Sequence, residues 1–235
     1  MSTYALIGLA VLVAAFVQGS TGLGFALISG PVIAMVQPGL LPVFLLIQMI
    51  PLNGYVTWRE RHALDVAGTT WISLGRFFGT FGGLWVLFLV SERQLGLLIG
   101  ISTVLAVLMT LFAPSFEPGK GAFLTAGFVT GVTETSTGVG GPPLALVYQH
   151  RPAPVLRSTI AACFLIGELI SLGTLAMSGK ITPDQVRVAF LLLPAVIVGA
   201  LMSRLVHHRL EGKLMRYLIL GFALVSGVVV TVQAL

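Results

Sequence analysis

A polar, glycine-rich motif occurs twice inside otherwise apolar sequence, and it limits the folds that this chain can adopt. It reads Ser-Thr-Gly-Leu-Gly at 20–24 and Ser-Thr-Gly-Val-Gly-Gly-Pro-Pro at 136–143. Hydrophobic residues make up 56% of the chain and charged residues only 9%, as expected for a protein that is solvated by lipid. In a bilayer, irregular backbone is tolerated only where protein or a water-filled cavity satisfies its polar groups. Two matching interruptions therefore predict a binding site near the middle of the membrane, which is typical of a transporter.

The apolar sequence divides into eight segments. About 20 residues cross the core of a bilayer as a helix. The first and fifth segments are too long for single untilted spans, and each contains the motif near its middle. Each of these two is predicted to form two helices or half-helices that meet at a broken tip. The approximate bounds of the eight segments are 4–36, 41–58, 67–90, 95–113, 122–147, 158–177, 186–206 and 214–232.

The second half of the chain resembles the first. Phe-Val-Gln-Gly at 16–19 corresponds to Phe-Val-Thr-Gly at 128–131, and the glycine motif follows in both halves. Later landmarks recur in the same order, at an overall period of about 112 to 120 residues. The sequence therefore predicts one transmembrane domain, 1–235, made of two repeats at about 1–116 and 117–235. The later landmarks are Gly79, Glu92 and Leu95 in the first repeat and Gly199, Glu211 and Leu214 in the second.

The basic residues indicate how the repeats are oriented. If segments one and five cross the membrane once each, the Lys and Arg residues divide five against seven. If each goes in and returns, they divide nine against three, which the positive-inside rule favours. The halves are then inverted, and both termini lie outside the cytoplasm. We therefore predict an all-α polytopic membrane protein with two inverted repeats, each a broken helix or re-entrant hairpin followed by three transmembrane helices. The nine are Arg59, Arg61, Lys120, Arg151, Arg157, Arg204, Arg209, Lys213 and Arg216, and the three are Arg93, Lys180 and Arg187.

The two breaks have the chemistry to hold a small oxyanion. Hydroxyls of Ser20, Thr21, Ser136 or Thr137 are suited to N-cap positions, and the glycines let backbone N–H groups approach a ligand. Two opposed helix N-termini present free donors and partial positive charge. A cation held by freed carbonyls, or simple glycine kinks where helices cross, are the alternatives. The candidate binding residues are Gln18, Gly19, Ser20, Thr21, Gly22, Gly24, Ser136, Thr137, Gly138, Gly140, Gly141 and Pro142.

These motifs resemble the sulfite exporter TauE/SafE family, also called the 4-toluene sulfonate uptake permease family. The resemblance lies in Phe-Val-Gln-Gly-Ser-Thr-Gly-Leu-Gly-Phe at 16–25, Gly-Val-Gly-Gly-Pro-Pro-Leu at 138–144 and the two-repeat length, so it covers essentially the whole chain. It implies a multi-pass carrier of sulfur-containing anions, such as sulfite and organosulfonates, in the bacterial inner membrane. It also implies binding residues at 20–24 and 136–143. Relatives include exporters and importers, so the direction of transport and the exact substrate stay open.

Three charged residues lie at membrane depth, where charge is costly and is a functional candidate by default. Arg76 lies in the third segment, Glu134 just before the second break, and Glu168 in the sixth segment. One hypothesis makes Arg76 a counter-charge for the anion and Glu134 the carboxylate that takes up a coupled proton. The alternative pairs Arg76 with a glutamate as a buried structural ion pair. The first repeat offers only Gln18 at the position of Glu134.

Other polar and small residues are predicted to hold helices together. Gln48 and Asn53 either line the cavity or, as we favour, form hydrogen bonds between helices. Gly75, Gly79 and Gly83 recur every four residues, which is typical of close helix packing, although such a face also suits a homodimer.

A secondary transporter is the function that these patterns favour. The predicted partners are a small sulfur-containing anion, the lipid bilayer, a coupled proton and a second copy of the chain. No cofactor or metal is expected, and scattered basic residues argue against nucleic acid. An enzyme is not expected, because the apolar segments contain no histidine that could serve as a base for Ser20 or Ser136. An anion channel, or a carrier of a different small organic anion, is the remaining alternative.

Overall fold

The computed structural model describes residues 3–112, 117–206 and 213–235, and all regular secondary structure in these residues is helical. Within these residues, five helices are long and apolar enough to cross a membrane, which confirms the prediction of an all-helical polytopic protein. Residue 113, at the end of the fourth predicted segment, lies outside the described residues. The ten α-helices of the described part of the chain are α1 Thr3–Thr21, α2 Phe25–Val36, α3 Val43–Arg59, α4 Val66–Leu89, α5 Glu92–Phe112, α6 Lys120–Thr137, α7 Gly141–Tyr148, α8 Ala153–Met177, α9 Pro183–Val206 and α10 Lys213–Ala234.

The second glycine motif is the tip of a helical hairpin formed by α6 and α7. Helix α6 ends at Thr137 and α7 begins at Gly141. The ring of Tyr148, at the end of α7, stacks on that of Phe123, at the start of α6, with centroids 5.5 Å apart. The chain therefore turns back at the motif and returns to the level at which α6 began.

The first motif reverses the chain in the same way between α1 and α2. Helix α1 runs parallel to α9, because Gly8 lies beside Leu192 and Gly19, near the end of α1, lies beside Ser203, near the end of α9. Gly39, just after α2, accepts a hydrogen bond of 2.9 Å from Gln185 Nε2 at the start of α9. Helix α2 therefore carries the chain back to the end of the bundle where α1 starts. Each of the two long apolar segments is thus two helices.

Glycines let α4 and α6 pack with their backbones in contact. A Cβ atom placed on Gly75, Gly79 or Gly83 would overlap a carbonyl group of α6. Only glycine allows an approach this close. The small-residue stripe is thus a packing surface, and because α6 covers it, it gives no support to a homodimer.

We expect Gly79→Ala to destabilise the protein by about 1–3 kcal/mol or more, because the added methyl group overlaps the Phe128 carbonyl and two backbones must separate. Gly173→Ala in α8 is a matched control, since nothing lies within 4 Å of the position of its Cβ. Thermal unfolding in detergent measures both variants. Equal melting temperatures for the two would contradict the close packing of α4 on α6.

The two halves of the chain pack in equivalent ways. If α1–α5 are matched in order with α6–α10, each of the following helix–helix contacts corresponds to another one. Helix α4 packs on α6, and α9 correspondingly packs on α1. Helix α3 packs on α9 and α8 on α4, while α2 contacts α10 and α7 contacts α5. The contacts α3–α8 and α5–α10 each join a helix to the matching helix of the other half. The two halves therefore build the bundle from equivalent contacts.

The central pair, α3 and α8, is antiparallel. Asn53 lies opposite Glu168, and Glu60, just after α3, lies opposite Arg157, near the start of α8. The end of the bundle where α3 ends and α8 begins carries most of the described basic residues in its loops and helix ends, and we call it the basic end. Arg209, Lys213 and Arg216 lie outside the residues whose side chains are described. Those at the basic end are Arg59, Arg61, Lys120, Arg151, Arg157 and Arg204.

Buried amides connect helices, as predicted for Gln48 and Asn53. Gln48 Nε2 donates a hydrogen bond of 3.1 Å to the carbonyl oxygen of Ala189, which joins α3 to α9. Asn53 contacts side chains of both α1 and α8. In a low-dielectric interior these bonds fix the register of the neighbouring helices.

Candidate functional site

Both motif loops close the preceding helix in the same manner. Gly22 has φ 86° and Gly138 has φ 81°, left-handed values that only glycine adopts without strain. Their N–H groups donate hydrogen bonds of 2.7 and 2.8 Å to the carbonyls of Gln18 and Glu134. The two glycines are therefore equivalent C-terminal caps, and Gln18 and Glu134 occupy equivalent places one turn earlier.

The prediction that the motif hydroxyls act as N-caps is wrong. Helices α1 and α6 continue through Ser20, Thr21, Ser136 and Thr137, and each hydroxyl donates to the carbonyl four residues earlier in its own helix. The residues that precede α2 and α7 are Gly24 and Gly140, and neither has a side chain that caps the helix. The threonine hydroxyls stabilise the turns: Thr21 accepts from the N–H of Leu23, and Thr137 from that of Val139.

Gln18 satisfies the first N–H group of α2. The backbone N–H of Phe25, the first residue of α2, donates a hydrogen bond of 2.9 Å to Gln18 Oε1. The acceptor comes from the neighbouring helix, so hairpin geometry rather than local sequence provides it. The start of α2 is thus a donor site that a side-chain oxygen already occupies.

A cavity of about 240 Å³ brings the two motifs together. Gln18, Thr21 and Gly24 border it from the first hairpin, and Gly140, Gly141 and Pro142 from the second. The starts of α2 and α7 therefore border the same cavity, as an anion site between two helix N-termini requires. The other predicted binding residues are close by in the tips but do not border the cavity: Gly19, Ser20, Gly22, Ser136, Thr137 and Gly138.

Most of the cavity wall is apolar, and sequence reasoning did not find these residues. Apart from Gln149, which follows α7, the missed residues come from six helices, and most of them are apolar side chains that would suit any core, so no local pattern marks them. The wall extends to Leu156 in α8, Thr110 in α5 and Leu220 in α10, which lie towards the basic end. Leu23 also borders the cavity and lies in the stretch 20–24 that the family resemblance implied. The wall residues that the prediction missed are Ala26, Leu27, Met49, Thr110, Ala145, Leu146, Gln149, Leu156, Phe164 and Leu220.

A buried chain of hydrogen bonds runs from the start of α2 across the bundle. Gln18 Nε2 donates to Asn53 Oδ1 at 2.9 Å, and Asn53 Nδ2 donates to Glu168 Oε1 at 2.6 Å. None of the three side chains is more than 2% exposed. The predicted site residues Gln18 and Glu168 are therefore joined through Asn53.

Arg76 and Glu134 form a fully buried ion pair at the same depth. Arg76 Nη2 lies 2.5 Å from Glu134 Oε2. Gly167 leaves the space that the guanidinium fills. Its Cζ lies 5.4 Å from the centre of the Phe164 ring, and Phe164 borders the cavity, whereas Arg76 does not. This contact is the buried ion pair of Arg76 with a glutamate that was the alternative hypothesis. A role of Arg76 as counter-charge to the anion stays a prediction.

The tip of the first hairpin rests on a cluster of charged residues at the basic end. Arg157 Nε donates to both carboxylate oxygens of Glu60, at 3.1 and 3.0 Å. Arg59 also contacts Glu60, at 2.7 Å, and donates a longer bond to the carbonyl of Gly19. These contacts join the ends of α1, α3 and α8 on this side.

The sequence model of one protein family, described as sulfite exporter TauE/SafE, matches residues 7–230. This chain belongs to the TauE/SafE family. No curated protein and no solved structure matches it significantly. The TauE/SafE family is one of membrane transporters of sulfite or related anions, not of enzymes, which agrees with the apolar helices. The chain is therefore a multi-pass membrane protein whose substrate is a small anion.

Proposed function

We propose that this TauE/SafE protein is a secondary transporter that carries sulfite or small organosulfonates across the bacterial inner membrane by alternating access. The observation that carries the proposal is the shared cavity, which the starts of α2 and α7 and the side chain of Gln18 all border. An anion between the two helix starts would lie at the positive ends of two helix dipoles. The N–H of Gly141 is the donor at the start of α7, since Pro142 and Pro143 have none, and the N–H groups that follow Phe25 are the donors at the start of α2.

The cavity wall favours a substrate with a charged head and a short apolar part. Gln18 and Thr21 place polar side chains beside the start of α2, whereas Leu27, Met49, Leu146 and Phe164 provide apolar surface. The volume of about 240 Å³ is below the roughly 300–1,000 Å³ of pockets for drug-sized ligands. Short alkyl or single-ring sulfonates match this size and polarity better than fully hydrated sulfate.

The equivalent packing of the two halves supports two inverted repeats, about 1–116 and 117–235, that rock around the site. Inverted repeats give a carrier two related conformations, one open to each side. The antiparallel arrangement of α3 and α8 is consistent with the inversion. The cavity extends towards the basic end, which the positive-inside rule assigns to the cytoplasm. The conformation of this structure would then be the inward-facing one.

Anion binding to the purified protein in detergent tests this proposal. We expect calorimetry to detect saturable binding of methanesulfonate, benzenesulfonate or sulfite, and weaker binding of sulfate and acetate. Absence of binding by all three sulfur anions to folded protein would contradict the substrate class. Preference for acetate would favour a carrier of another organic anion.

Uptake into proteoliposomes separates a carrier from a channel. A carrier must change conformation once per substrate, so we expect uptake to saturate with concentration and to be inhibited by competing sulfonates. Flux that rises linearly with concentration across the binding range would contradict alternating access and favour the anion channel.

A further inference from the structure

The buried chain of hydrogen bonds has a fixed direction, because it begins at a group that can only donate. The N–H of Phe25 requires an oxygen, so Gln18 must present Oε1 to it and Nε2 to Asn53. Asn53 then presents its oxygen to Gln18 and its amide Nδ2 to Glu168. The amide orientations are thus determined without ambiguity, and Glu168 Oε1 must act as an acceptor.

The second oxygen of Glu168 is available for a proton. Glu168 Oε2 is buried and has no hydrogen-bond partner among the described residues. A buried carboxylate that keeps its charge without a partner for one oxygen costs far more than a neutral carboxylic acid whose O–H group lacks a partner. The chain from Phe25 uses the other oxygen, Oε1.

The balance of buried charge also favours a proton on Glu168. Arg76, from α4, and Glu134, from α6, are the charged groups that face Glu168 among the described residues, and α3 contributes only the neutral Asn53. The guanidinium is in contact with Glu134, so one cation serves two carboxyl groups. Two ionised carboxylates would leave a net negative charge in the bundle interior.

Other titratable groups of α8 and its neighbours lie elsewhere. Asp65, at the start of α4, binds the Tyr148 hydroxyl at 2.8 Å, and its N–H donates to Thr159, more than two helical turns before Glu168. Cys163 is a buried thiol on the same helix. None of these supplies a counter-charge to Glu168.

From this geometry we infer that Glu168, rather than Glu134, is the residue that binds the coupled proton, and that the Gln18–Asn53 chain links this proton to the anion. The proton comes from the water on the open side and binds Oε2, which changes the carboxylate from −1 to neutral. The amides of Gln18 and Asn53 do not relay this proton. They connect two positions that both need hydrogen-bond donors. An anion at the start of α2 and an ionised Glu168 would both need donors from this one chain of hydrogen bonds, one at each end, and their negative charges repel each other. The anion therefore binds more tightly when Glu168 is protonated, and by linkage the bound anion favours the proton.

This inference rests on the proposed anion site, but its first test needs no ligand. We expect the infrared spectrum of the wild-type protein to contain a buried carboxylic-acid C=O band that disappears at alkaline pH. The band should be missing from Glu168→Gln and present in the control Asp184→Asn, which changes a carboxylate at the start of α9. A band that persists in Glu168→Gln, or one that never titrates, would overturn the assignment.

The second test is the pH dependence of methanesulfonate binding, since this anion does not itself take up protons in the range used. Above the pH at which the band disappears, wild-type affinity should fall by up to about tenfold per pH unit, the limit for one linked proton. Glu168→Gln should bind with affinity independent of pH, and Asp184→Asn should behave as wild type.

Proton uptake by the wild-type protein keeps the test decisive if Glu168→Gln does not fold. Calorimetry in two buffers of different ionisation enthalpy should show up to one proton taken up per anion in the pH range where the band titrates. Binding with no uptake and no pH dependence would overturn the coupling alone and leave the proposed anion site intact. Absence of binding by methanesulfonate, benzenesulfonate and sulfite alike would instead count against the proposed function, and the infrared result would still decide whether Glu168 holds a proton.

Discussion

Replacing Arg76 by leucine should destabilise the protein by about 3–5 kcal/mol, the usual effect of removing one partner of a buried ion pair. Arg76 and Glu134 are both 0% exposed, and Arg76 is the cation that faces both buried glutamates. Without it, Glu134 would keep a charge with no counter-ion in the membrane interior. Thermal or denaturant unfolding in detergent measures the loss.

The double variant Arg76→Leu with Glu134→Gln serves as the control, because it removes the charge that the single variant leaves unpaired. We expect it to recover a large part of the lost stability. Replacing a whole buried pair is often close to neutral. A single variant as stable as the wild type, or a double variant worse than both singles combined, would contradict the pairing of Arg76 with Glu134.

Gly141→Leu should weaken anion binding at least tenfold while leaving the protein folded. Gly141 begins α7 and borders the cavity, and a Cβ at this position would lie in ordinary contact, 3.4 Å from Leu23 Cδ2 and 4.0 Å from Phe164. The rest of the leucine side chain would fill the space proposed for the anion. We expect affinity for methanesulfonate or sulfite to fall at least tenfold, about 1.4 kcal/mol or more. Calorimetry and vesicle uptake both measure the effect.

The matched control is Gly173→Leu, which adds the same side chain to α8 where nothing lies within 4 Å. It should bind as the wild type does. Gly138→Leu would be a poorer probe, because φ of 81° and contact with Leu45 would distort the hairpin itself. Wild-type affinity in Gly141→Leu would place the anion elsewhere.

The sequence predicted the helical class and the two breaks because both depend on local composition. Runs of apolar residues require helices in lipid, and Gly22 and Gly138 end a helix through their own backbone conformation. The site residues nearest the breaks, Gln18 and Gly141, were found for the same reason. Features that depend on residue type and spacing alone could be predicted.

The parts that sequence missed depend on which helices meet. The Ser and Thr hydroxyls were expected to cap α2 and α7, but α1 and α6 extend through them, and Gln18 reaches across the hairpin to Phe25 instead. The partners Asn53 and Glu168 are 115 residues apart, so no spacing indicates their contact. Met49 and Phe164 border the cavity with side chains that fit any core equally well.

An experimental structure of the protein with bound bromobenzenesulfonate would locate the substrate directly, because the bromine identifies the ligand. We expect the sulfonate to lie between the N–H groups at the starts of α2 and α7, beside Gln18, with the ring against Phe164 and Met49. A ligand bound only at the basic end, against Arg59 and Arg157, would contradict the proposed site and show that the two glycine motifs shape the helices without holding the substrate.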